Sequence, residues 1–156
     1  METISIIAKS FVFHQWDSVL SSLKGVSRTE AEWQCPGFEK DIDLMPNFPS
    51  NGTILWYVNH ISFYKSKYIA TLKNTNINSE ENYKPIHDIK KAIASLKKLS
   101  TEFCEVLNSI DESTLNTKIK HSNVTLIDFI SSSIRHDVWH AGQIALLRRL
   151  YKHYHQ

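Results

Sequence analysis

The sequence predicts an all-α protein, a four-helix bundle with a long connection between its first and second helices. Three observations carry this reading. Apolar residues recur at spacings of three and four in four segments, and no segment shows the alternation of a half-buried strand. Only 4 Gly and 4 Pro occur in 156 residues, and three of the prolines (Pro36, Pro46, Pro49) fall in one stretch, so the other segments are nearly free of helix breakers. Hydrophobic residues at 42% and charged residues at 22% are the values of a folded chain, which excludes disordered and collagen-like classes. A chain of 156 residues suits one core, so residues 1–156 are read as a single domain.

The first helix is expected from Ile4 to Leu23, with Ile4, Ile7, Phe11, Val12, Trp16, Val19 and Leu23 on its apolar side and Gly25 as its stop. From Gly25 to Thr53 the texture is that of a long connection, interrupted where Ser27 and Glu30 are spaced as a capping box. Trp33, Phe38 and Phe48 give that connection apolar material for a wall or lid, or only for covering a bundle end. A second helix is expected from Thr53 to Leu72, with Ile54, Val58, Ile61, Tyr64, Tyr68 and Leu72 inward and Lys65, Lys67 and Lys73 at solvated positions. Asn74 to Tyr83 reads as a loop, and Pro85 suits the first turn of a third helix whose stripe runs from Ile86 to Ile110. Thr125 and Asp128 are spaced as a second capping box, opening a last helix from Leu126 to about Tyr151.

Charge and cysteine usage narrow the function classes. Lys and Arg number 18 against 16 Asp and Glu, a net charge of +2 without a basic stripe, so no nucleic-acid partner is expected. Cys35 and Cys104 lie far apart and form neither a metal knuckle nor a disulfide framework, which fits reduced thiols in a cytoplasm. The first residues lack the basic start and apolar run of a secretory signal, and no stretch reaches the roughly 18 apolar residues of a membrane span. A soluble cytoplasmic protein without a membrane partner is the expectation.

The histidines carry the chemical information, because a buried imidazole needs partners for its ring nitrogens. His87, His121, His153 and His155 fall in polar or terminal surroundings and read as solvated, and His14, near one edge of the first helix, is placed either to line a cavity or merely to flank the core. His136 and His140 instead share a stripe with Phe129, Ser133, Ile144, Leu147 and Tyr151. Residues at i and i+4 stand about 6 Å apart along a helix and roughly 40° around it, so two such rings can converge on one cation. The same spacing also arises on exposed faces. Ser133 and Gly142 are small and leave interior room, and His60 on the second helix supplies a third imidazole, although it falls at the flank of its stripe. Three imidazoles with an open position are a catalytic rather than a closed structural zinc arrangement. His136, Asp137, Val138, Trp139 and His140 also approximate a zincin motif with Asp for Glu, but no third-ligand extension follows, and Asp137 reads more simply as a residue beside the site that bonds a neighbouring group, or as an ordinary helix-surface acid.

The run from His136 through His140 to Gly142, Gln143 and Ile144 resembles the closing HxxxHxGQI signature of the DinB/YfiT-like superfamily. Trp16, the proline-rich connection and Trp56, Tyr57, Val58, Asn59, His60 and Ile61 extend the resemblance over nearly the whole chain. The resemblance implies a four-helix bundle, commonly a homodimer, with a divalent metal, zinc or nickel, held by His60, His136 and His140. It implies an enzyme of the thiol S-transferase type, which joins a low-molecular-weight thiol such as bacillithiol or mycothiol to an electrophilic substrate. A metal-dependent hydrolase and a non-catalytic dimeric bundle are the alternatives. Arg148 and Arg149 are candidates to meet an anionic thiol or simply to favour the end of the last helix.

Overall fold

The computed structural model describes residues 18–37, 52–75, 83–120 and 122–156, and within them the chain is all-α apart from one isolated bridge between Lys118 and Thr125. The elements are α1 (Val19–Ser22), α2 (Arg28–Glu32), α3 (Ile54–Leu72), α4 (Ile89–Asn108) and α5 (Leu126–Tyr154), with a 3-10 turn at Glu112–Thr114. Most of the first predicted helix, with His14 and Trp16, lies outside the described residues, as do Phe38, Phe48 and His121.

Each helix starts where a short polar side chain can accept from an otherwise unpaired amide. Ser18 caps α1, Ser27 caps α2 through the amide of Glu30 and Thr53 caps α3 through the amide of Trp56. Asp88 accepts from the Lys91 amide and Thr125 from the Asp128 amide. The Asp88 cap corrects one expectation: α4 begins at Ile89, and Pro85 lies before it in an irregular segment. Gly25, at φ 73°, turns the chain away after α1 in a conformation that costs a side-chain-bearing residue more.

Two apolar clusters organise the packing. One joins Val19, Leu23 and Ala31 to Ile54, Val58 and Ile61 of α3, Ile89 and Leu96 of α4, and Ile144 and Leu147 of α5. The other joins Ile69 to Phe103, Leu107 and Ile130. The first halves of α3 and α4 share the first cluster and their second halves share the second, so these helices run parallel, whereas α5 enters in the reverse order and is antiparallel to both. A parallel pair needs a returning link, and Asn59 secures it to α3. Its amide donates to the Ile86 carbonyl at 3.0 Å, and its oxygen accepts from the Ile86 amide at 2.7 Å. Between the clusters lies a polar level with buried Ser62 and Lys65 on α3, Ser100 on α4, and Ser133 and His140 on α5.

Candidate metal centre

Buried polar residues in that level must find partners, and the histidines find one another. Nε2 of His60 lies 3.1 Å from Nε2 of His136, which lies 3.2 Å from Nε2 of His140. All three atoms fall within 4.8 Å of one another and could hold a metal ion. Nitrogens at ~2.0–2.1 Å from a common tetrahedral ion stand about 3.3 Å apart. The two short separations fit that geometry. His60 is 8% exposed and His140 9% exposed, so the rings meet inside the bundle.

The protonation states suit ligation. Burial first, and then the neighbouring imidazoles, push His60 down to about 3. Burial and His136 push His140 down to about 4, against the opposing influence of Gln143. Both rings are therefore neutral at neutral pH, as metal ligation requires. The tautomer of His140 is set as well: Nδ1 lies 2.5 Å from Oε1 of Gln143, an acceptor, so Nδ1 carries the proton and Nε2 keeps its lone pair.

Aromatic rings enclose the trio. Trp56 stacks on His60 with centroids 4.6 Å apart and planes at 20°, one helical turn before it on α3. Tyr57 lies 5.3 Å from His140, and Tyr64 lies 5.0 Å from His136 and 4.8 Å from His60. Tyr68 meets His136 edge-on at 5.9 Å. Burial raises the Tyr57 and Tyr68 hydroxyls, aided at Tyr68 by the Asp137 charge, so both remain phenols with a proton to donate.

Asp137 is not aimed as a zincin base would be. Its Oδ2 forms an ion pair with Lys65, whose side chain is 4% exposed. Lys65 thus departs from the solvated position expected of it. Burial is the largest single influence and opposes the Asp137 charge, but the Lys65 ammonium and the adjacent His136 together outweigh it and hold the carboxyl below its usual range. Gly142 also differs from expectation: it lies on the exposed side of α5, and only Ser133 of the two small residues is interior.

Other candidates fall away from the centre. His87, His153 and His155 are exposed, as expected. Arg148 donates to Glu30 at 2.7 Å and to the carbonyls of Ser22 and Lys24 at 2.8 and 2.9 Å, which binds α5 to the α1–α2 region rather than offering a cation to a ligand. Trp33 packs on Tyr151 and Tyr154 near the end of α5, so it covers that end of the bundle. The sequence marks Gln143 through the closing HxxxHxGQI signature, whereas nothing in its periodicity marks the Lys65–Asp137 pair.

No helix among the described residues is long and apolar enough to cross a membrane. Nothing among curated proteins or solved structures matches the chain. The profile of the DinB superfamily matches residues 14–144, a span that contains all three converging histidines, and the chain belongs to that superfamily.

Proposed function

We propose that the protein, acting as one domain in the cytoplasm, is a metal-dependent enzyme of the thiol S-transferase type. In this reading His60, His136 and His140 hold a zinc or nickel ion, and a low-molecular-weight thiol reacts with an electrophilic substrate. The observation that supports it most is the meeting of three ε-nitrogens from two helices, with the other nitrogen of His140 already committed to Gln143. Three imidazoles leave a coordination position for a reactant. A bound divalent ion supplies Lewis acidity, lowering the pKa of a thiol or water at that position.

The chain's own residues account for the rest. Gln143 orients His140, and Trp56, Tyr57, Tyr64 and Tyr68 pack around the imidazoles and keep bulk water from them. Cys35 and Cys104 are both buried, and burial pushes the Cys104 thiol up to about 11, so the nucleophilic sulfur comes from a co-substrate. The zincin-like hydrolytic alternative lacks its base, because Asp137 is engaged by Lys65. A homodimer belongs to this reading, and the side of α5 where Val138, Leu146 and the 70% exposed Trp139 emerge is an apolar surface available for it. Sedimentation then gives twice the chain mass for the parent and the single mass for Trp139→Glu.

The main test measures metal in protein purified without chelators, together with turnover. The parent is expected to hold one ion per chain and to consume a small thiol with an electrophile, while His60→Ala and His136→Ala lose both properties. Variants that hold as much metal as the parent would overturn the ligand assignment. A metal-loaded parent that turns over no combination of thiol and electrophile would favour the non-catalytic bundle.

A further inference from the structure

Two polar atoms beside the trio are left over. His136 Nδ1 and Asp137 Oδ1 are buried without a hydrogen-bond partner among the described residues, and they lie 3.8 Å from each other. An imidazole that ligates through Nε2 carries its proton on Nδ1, and a buried donor without an acceptor is costly. The Asp137 carboxylate presents such an acceptor, and its second oxygen is gripped by Lys65. Lys65 shares α3 with His60, and Asp137 follows His136 on α5, so the ion pair spans the same two helices as the trio.

We propose that Asp137 is a positioning residue for the metal centre, its Oδ1 accepting the Nδ1 proton of His136 while Lys65 holds the carboxylate in place. The proposal rests on the metal-binding reading above. An approach of about 1 Å brings the pair to the roughly 2.9 Å of an N–H···O bond. The broad terminal torsion of an aspartate permits it. Both α5 ligands then draw their outer partner from α5 itself: Gln143 for His140 and Asp137 for His136. A salt bridge kept for stability alone would explain neither orphaned atom, and a buried pair gains little stability after its desolvation.

The test compares the parent with Asp137→Asn and with the double variant Lys65→Met/Asp137→Leu. Each stripped protein is titrated with Zn²⁺ against a chromophoric chelator and with Co²⁺ followed by its visible spectrum. Replacing a buried ion pair by apolar side chains tends to preserve folding, so the double variant is expected to melt, metal-free, near the parent. It is expected to bind Zn²⁺ about 10–100-fold more weakly, the usual loss when a ligand's outer partner is removed, with a changed Co²⁺ band. Asp137→Asn keeps an oxygen acceptor and is expected to lie between the two. Parent-like affinity and spectrum in the double variant would overturn the proposal. If that variant does not fold, parent-like behaviour of Asp137→Asn overturns it instead. A parent that binds neither ion defeats the metal reading itself, which is a separate result.

Discussion

His140 shows how one side chain is made fit for ligation by another. Its Nδ1 lies 2.5 Å from Oε1 of Gln143, and an amide oxygen can only accept, so the proton is held away from the convergence point. Gln143→Leu is therefore expected to weaken zinc binding about 10–100-fold with little change in the metal-free fold, as measured by competition with a chelator. Unchanged affinity would mean that ring packing alone orients His140. Arg148 gives a contrasting case, in which a charge serves the fold. It meets the buried Glu30 carboxylate and two carbonyls, and its removal leaves Glu30 without its cation. Arg148→Ala is expected to lower unfolding free energy by about 3 kcal/mol in denaturant titrations, and Arg148→Lys to recover only part because an ammonium lacks the planar fork.

Among the elements, α3 explains both what the sequence made legible and what it hid. The helices α3, α4 and α5 were readable because their apolar periodicity and their caps agree, and α5 announced His136 and His140 on a stripe that is indeed interior at Ser133, Ile144 and Leu147. On α3 the single-stripe reading fails. Packed by α2, α4 and α5, it buries Trp56, Asn59, His60, Phe63 and Lys65 as well as Ile54, Val58 and Ile61, so most of its circumference is interior. His60 at the flank of the stripe is thus buried, and Lys65 is drawn inside by a carboxylate whose position depends on tertiary packing. The start of α4 was misplaced for a related reason: Asn59 holds Ile86 in the returning link, and Asp88 supplies the cap. Because α3 carries one ligand, its own cap matters to the site. Thr53→Ala removes the acceptor for the Trp56 amide and is expected to cost about 1–2 kcal/mol in thermal or denaturant unfolding. Zinc affinity well below the melting temperature is expected to stay at the parent's value, since the ligand's own turn is untouched.

For the molecule as a whole, the centre occupies the seam between the two apolar clusters found among the described residues. A polar level there contributes less hydrophobic stabilisation than an equal volume of aliphatic side chains, so the connection between the two halves depends on how its polar groups are satisfied. His60 lies on α3 while His136 and His140 lie on α5, and an ion shared by them would tie those helices together at that level. Binding to the folded state alone adds about 2.7 kcal/mol at a free ion concentration one hundred times the dissociation constant. For a chain of this length that corresponds to a rise of about 5–10 °C in melting temperature. The parent is expected to show this rise with Zn²⁺ in differential scanning calorimetry and to lose it on chelation. His60→Ala is expected to abolish the rise, because the remaining two imidazoles sit on one helix and bridge nothing. Exposed His153 and His155 near the C-terminus offer the competing explanation of any zinc effect. A shift that survives His60→Ala but disappears in His153→Ala/His155→Ala would assign the stabilisation to the tail and remove the seam from the account.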